Sequence, residues 1–172
     1  MSACSGTEKW KEEVQLSDGE IIVIDRETLR EGGGDEWASN RSGSKPKEYR
    51  VKFSHSSAPR KIIEWRSTKV DSQTWPESPL LLDLDNAQPV VFSILSITAI
   101  CDVYSKYVYQ NGVWIEEALS EKFAERTSNL FIGGGVDMPK LIDLAAKRRA
   151  IDDGGYRDSL KQVGPTKKVC GG

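Results

Sequence analysis

Apolar and polar residues alternate along most of the first two thirds of the chain, with the period of two that is typical of β-strands. Val14 and Leu16 alternate with polar residues before Asp18-Gly19, and the β-branched run 21–24 follows it. Asp-Gly tolerates the positive φ that a tight hairpin turn requires. The pattern therefore predicts a β-hairpin near the start of the chain.

Two further hairpins are predicted by the same alternation. Residues 48–54 (EYRVKFS) and 60–67 (RKIIEWRS) each place apolar side chains on one face, and Ala-Pro-Arg at 58–60 predicts the turn between them. Residues 106–117 (KYVYQNGVWIEE) alternate on both sides of Asn111-Gly112. Asn-Gly between alternating strands is the strongest short hairpin signal.

The spacing of apolar residues changes towards the C-terminus. Leu141, Leu144 and Ala145 recur at helical spacing before Gly154-Gly155, and a shorter helix is expected to end at Gly164-Pro165. These segments predict an α+β fold. The antiparallel β-rich core is expected over about residues 10–118, C-terminal helices over about 137–163, an N-terminal tether over 1–9, and a single domain over 10–172.

The first residues suggest a lipid anchor. Ser2-Ala3-Cys4-Ser5-Gly6 resembles the end of the lipobox of bacterial lipoprotein precursors, in which small residues precede the cysteine that receives the lipid. Met1 stands where those precursors carry leucine. We expect a basic segment and an apolar segment to be encoded in frame upstream of Met1. The alternative is a chance match in a cytoplasmic protein with a free surface thiol.

The segment after Cys4 carries a second resemblance. The sequence WKEEVQLSDG is similar to the opening of a group of small proteobacterial lipoproteins, which have no assigned activity. The matching residues are Trp10, Lys11, Glu12, Glu13, Val14, Leu16, Asp18 and Gly19. The resemblance implies a location in the cell envelope, with Cys4 as a membrane anchor. Ser5 rather than aspartate after the cysteine implies the periplasmic face of the outer membrane.

The chain has two further cysteines. If Cys4 carries lipid, Cys101 and Cys170 remain as an even pair in an oxidising compartment, and a disulfide would tie down the C-terminal tail. We therefore predict a Cys101–Cys170 disulfide. The alternative is that Cys101 is a buried small apolar residue and Cys170 an unpaired thiol.

Composition narrows the classes of partner. Lysine and arginine total 24 and aspartate and glutamate 26, for a net charge of -2, and the charges are mixed along the chain. Without a basic stripe, nucleic acid is not an expected partner. The longest apolar stretch, about residues 87–101, falls short of the roughly 20 residues of a membrane-spanning helix.

Catalytic signals are weak. His55 is the single histidine, no nucleophile motif accompanies it, and one histidine without paired cysteines does not favour a metal site. No cofactor is expected. Carboxylates that could serve a hydrolase of an envelope polymer are Asp83, Asp85, Glu116 and Glu117.

Trp37 stands alone in a polar, glycine-rich segment at 29–48. An aromatic side chain on such a loop is a common binding element, although Trp37 could equally fold back onto the sheet. The sequence favours a non-enzymatic binding or accessory module of the envelope, whose partner is an envelope protein or glycan. A carboxylate-based hydrolase and a cytoplasmic accessory protein are the alternatives.

Overall fold

The computed structural model describes residues 6–32, 44–56, 58–98, 101–119, 121–123, 126–131, 139–152 and 169–170. Most of the described residues are in strands. The strands are β1 (Gly6–Gln15), β2 (Ile21–Gly32), β3 (Ser44–His55), β4 (Ala58–Arg66), β5 (Ser78–Asp85), β6 (Gln88–Thr98), β7 (Cys101–Gln110), β8 (Val113–Glu117), β9 (Leu141–Ile142) and β10 (Val169–Cys170). A 3-10 turn spans Glu121–Phe123, and helix α1 spans Leu144–Asp152.

Strands β4-β3-β2-β1-β9 form one sheet in that order, here called sheet I. Its hairpin strands are antiparallel, and β9 joins β1 in parallel, with Lys11 opposite Leu141. The polar turn between β1 and β2 contains Gly19 at a φ of 90°, as the Asp-Gly signal predicts.

Strands β10-β7-β6-β5 form the second sheet, sheet II, and β8 also pairs with β7. Since β6 occupies one side of β7 along its length, β8 and β10 share the other side. β10 lies opposite the first residues of β7, and β8 lies opposite its last residues. All of these pairings are antiparallel.

The core lies between the two sheets. Alternate side chains of sheet I, including Val14, Ile24 and Trp65, pack against Leu82 and Val91 of sheet II. This is the arrangement of a β-sandwich, in which the period of two assigns one residue in two to the interior.

The two outer faces differ in exposure. The outer face of sheet II is buried along β5, β6 and much of β7, with Phe92 and Val108 in a second apolar cluster against which Leu119 packs. The outer face of sheet I is open to solvent, because its strands alternate between buried side chains and exposed ones such as Lys9, Lys11 and Val23. Sheet I therefore presents the broad free surface.

The predicted α+β class with an antiparallel β-rich core is confirmed, and so are the three predicted hairpins. The predicted turn at 58–60 is wrong, because β4 already begins at Ala58 and pairs with His55. β1 begins at Gly6, within the expected tether. The expected helix at 156–163 lies outside the described residues. Within the described helices, no stretch has the length and apolarity of a membrane span.

Candidate functional site: a lysine-lined groove on sheet I

A groove with a volume of about 580 Å³ lies on sheet I, beside the junction of β1 and β9. Apart from the buried Arg26, its charged lining consists of four lysines and two carboxylates that lie on the outer face of the sheet or at its margin. These residues are Lys9, Lys11, Lys52, Lys140, Asp25 and Glu27. We call this surface the lysine groove.

The strand register explains why these charges meet. Lys9 and Lys11 are two positions apart on β1, so their side chains share a face. Lys9 lies opposite Glu27 and Lys11 opposite Asp25 on β2, while Lys52 lies opposite Asp25 on β3. Three neighbouring strands thus bring the charges into one patch.

The margin of the groove comes from far along the chain. The Lys11 amide donates a 2.8 Å hydrogen bond to the carbonyl oxygen of Lys140, which places Lys140 beside β1 just before β9 begins. Leu141 follows and is 46% exposed, so one apolar side chain lies next to the exposed Lys140.

Cations outnumber carboxylates in the lysine groove. Glu27 lies within 3.4 Å of Lys9 and 2.9 Å of Lys52, and Lys11 pairs with Asp25 at 2.7 Å. The hydrogen bond from Lys52 lowers the pKa of Glu27, with further help from the charge of Lys9 and against the effect of burial. No described carboxylate forms an ion pair with Lys140. The surface therefore favours an anionic ligand.

A buried ion cluster lies beneath the groove, on the inner side of β1. Glu12 is fully buried and accepts from Arg26 on β2 at 2.5 Å and from Lys147 on α1 at 2.9 Å. It also accepts a 2.6 Å hydrogen bond from the Phe131 amide. Burial lowers the pKa of Lys147, and the charge of Glu12 opposes that shift. Glu12 thereby joins β1, β2 and α1, which positions the β9 margin of the groove.

A second buried carboxylate holds the segment between β4 and β5. Glu77 is fully buried and accepts hydrogen bonds from the Thr68 amide at 2.9 Å and from the Ser93 hydroxyl at 2.6 Å. The Tyr107 hydroxyl donates to both of its carboxylate oxygens at 2.9 Å. Burial, reinforced by the charge of Glu77, raises the pKa of Tyr107. These bonds attach the connection to sheet II, a structural role.

The carboxylates considered for hydrolysis are each engaged by a cation. Arg126 contacts Asp83, Lys69 contacts Glu116, and Lys106 joins Asp85 to Glu117 at 3.0 and 3.5 Å. The hydrogen bond from Lys106 lowers the pKa of Asp85, against burial and with help from Lys122. A general acid needs a raised pKa, so the surroundings of Asp85 do not favour this role for Asp85.

His55 lies in a small cluster of side chains of the types that can ligate a metal ion, which was not predicted from the sequence. Ligand atoms of Asp18, Glu20 and His55 lie within 4.8 Å of one another at the ends of two hairpins. The turns account for the arrangement, because the Glu20 amide donates to Asp18 and the Ser56 hydroxyl donates to Glu20. The His55 Nε2 atom lies 3.1 Å from Glu20.

The other residues predicted from the sequence are the three cysteines and Trp37. Cys101 is disulfide-bonded, and the backbone of Cys170 lies directly opposite Cys101 in the β7–β10 pairing. The Cys101–Cys170 bond stays a prediction that this register supports. Cys4 and Trp37 lie outside the described residues.

The lysine groove was missed at the level of sequence, although part of its signal was present. Lys11 has the strand phase opposite to that of Trp10 and Val14, whereas Lys9 was placed in the expected tether although it continues the same phase. What the sequence lacked was the placement of Lys140 and Lys52 beside them.

The chain was also compared with protein-family models, with curated proteins and with solved structures. None of the three comparisons gives a match.

Proposed function

We propose that the protein is a bacterial envelope lipoprotein that acts as a non-enzymatic binding module. In this proposal Cys4 carries the lipid anchor at the periplasmic face of the outer membrane, and the lysine groove carries the binding surface. The resemblance of residues 2–6 to a lipobox supplies the anchor.

The observation that carries the proposal is the disulfide-bonded state of Cys101. Disulfides persist in secreted and periplasmic proteins and are rare in the reducing cytosol. This supports an exported protein over the cytoplasmic alternative.

A binding role is supported by what the described side chains offer. The lysine groove is open, cationic and built on rigid strands, which is what the recognition of an anionic partner requires. The four carboxylates considered for hydrolysis are held by cations, so the hydrolase alternative has less support.

The test is fractionation of the protein produced from its own gene with the upstream in-frame sequence. We expect the wild type in the outer-membrane fraction with incorporated lipid label, and Cys4→Ala in the soluble fraction without label. Ser5→Ala is the matched control, because it changes the neighbouring residue, leaves the cysteine that receives the lipid and should stay with the membrane. A soluble, unlabelled wild type would contradict the proposal.

A further inference from the structure

We infer that the lysine groove binds the anionic phospholipid headgroups of the membrane to which the chain is anchored. The inference rests on the proposed function, since it takes the anchor to be Cys4. Beyond the proposed function, it names the ligand of the groove and implies that the groove faces the membrane.

The first argument is the distance from the anchor. Two peptide units separate Cys4 from Gly6, where β1 begins, so their Cα atoms are at most about 7 Å apart. Lys9 follows three strand residues later, roughly 10 Å further along β1. An anchor at Cys4 would therefore keep the Lys9 Cα within about 17 Å of the anchored residue, so that the lysine side chains reach the headgroups when this face of the domain lies against the membrane.

The second argument is charge complementarity. Four lysines and two carboxylates line the groove, which leaves an excess of cations facing outward. The Lys9 and Lys11 side chains are 67% and 57% exposed, so their ammonium groups can reach a surface without unfolding the strand. Lysines close to a membrane surface add to the binding of anionic lipids, and the attraction falls off within a Debye length.

The third argument is the shape of the site. The cations lie on adjacent strands of an open sheet face, which can approach an extended surface such as a bilayer. Leu141 lies at the margin and is 46% exposed, so an apolar side chain is available to the interfacial region. A cationic patch adds an electrostatic contribution to the membrane binding of a lipid-anchored protein.

The experiment separates the groove from the anchor by using the full chain produced without a leader, hence without lipid. Co-sedimentation is measured with vesicles of phosphatidylcholine containing phosphatidylglycerol, and with vesicles of phosphatidylcholine alone. We expect binding to the anionic vesicles only, and we expect it to weaken as salt is raised.

The test variant combines Lys9→Gln, Lys11→Gln and Lys140→Gln. Each lysine removed should weaken vesicle binding roughly fivefold, or about 100-fold for the three. The control combines Lys47→Gln, Lys61→Gln and Lys122→Gln, which removes the same charge outside the groove and should bind within a few-fold of the wild type. Thermal unfolding compares the folding of both triple variants.

If the triple variant fails to fold, Lys140→Gln alone is used, because its side chain forms no ion pair with a described carboxylate, and a fivefold loss is expected. Equal losses in test and control variants would overturn the inference, as would equal binding to neutral vesicles or no binding to anionic ones. Preference for poly-glutamate over anionic vesicles would also overturn it. Fractionation of Cys4→Ala reports on the anchor and is independent of these outcomes.

Discussion

Glu12 connects three parts of the chain from a position without access to solvent. Its carboxylate meets Arg26, Lys147 and the Phe131 amide, and the Lys147 ammonium group also donates to the carbonyl oxygens of Glu13 and Asn129. A buried carboxylate with two cations is stable only while its partners remain. The cluster should therefore be sensitive to the loss of any one charge.

Glu12→Gln should lower the free energy of unfolding by about 3–5 kcal/mol, because it leaves two cations buried with no compensating charge. Urea denaturation of the purified chain measures the change. Asp25→Asn is the control, since it breaks an ion pair whose side chains are more than half exposed and should cost less than about 1 kcal/mol. Similar losses in the two variants would contradict this view of Glu12.

The burial of Glu12 could have been anticipated from the sequence, because it shares the phase of Trp10 and Val14 on β1. The residues that pair with Glu12 could not have been anticipated in this way. Lys147 is one of many lysines in the chain, and only the packing of α1 against β1 selects it. The long-range partner of a buried charge is set by tertiary contacts that local pattern does not encode.

Two hairpin turns of sheet II both use positive φ angles but differ in their second residue. Both loops have two residues with positive φ, Asn111-Gly112 between β7 and β8 and Asn86-Ala87 between β5 and β6. Glycine adopts such φ values without strain, whereas alanine at 63° in Ala87 meets a steric penalty from its Cβ atom. The two turns thus differ in conformational strain at their second position.

Exchange of the two residues should change stability in opposite directions. Gly112→Ala is expected to destabilise the protein by about 1–2 kcal/mol, although a Cβ at Gly112 would contact no other group. Ala87→Gly is expected to stabilise it by up to about 1 kcal/mol, because the relief of strain exceeds the added chain entropy. Thermal unfolding measures both variants. Gly6→Ala is a neutral control at a position without positive φ, and shifts of the same sign at both turns would refute the prediction.

Hairpins were predictable because their signals are local, whereas β9 and β10 were not. Each has two residues, and each is a strand only because a distant partner, β1 or β7, offers free backbone groups. The lysine groove depends on β9 and on the register across three strands, so it shares that limit. The alternation of β1 places Lys9 and Lys11 on one face, but only tertiary structure brings Lys52 and Lys140 beside them.

At the scale of the whole molecule, the C-terminal end is joined to the middle of the chain. Val169 and Cys170 pair with Asp102 and Cys101. Opposed residues of antiparallel strands have Cα atoms about 4.5–5.5 Å apart, within the range that a disulfide spans. The backbone is therefore already suited to a Cys101–Cys170 bond.

Mass spectrometry of non-reduced peptides from exported protein should show a link between residues 101 and 170. The bond closes a loop of about 70 residues, for which the chain-entropy model gives roughly 4 kcal/mol of stabilisation. Cys170→Ser should lose that stability, and reduction of the wild type should reproduce the loss. A link from Cys101 to Cys4, or an intact wild type with free thiols, would disprove the pairing.

Because β9 and β10 lie late in the sequence, they are synthesised long after β1 and β7, the strands with which they pair. Until ribosomal synthesis reaches these segments, β1 and β7 lack neighbours that close part of their edges. Pairings between distant residues slow folding, and unpaired strand edges can recruit other chains in the meantime. A nascent chain that still lacks residues 141–142 and 169–170 therefore exposes these strand edges, and a chaperone that binds extended segments would protect them from pairing with other chains.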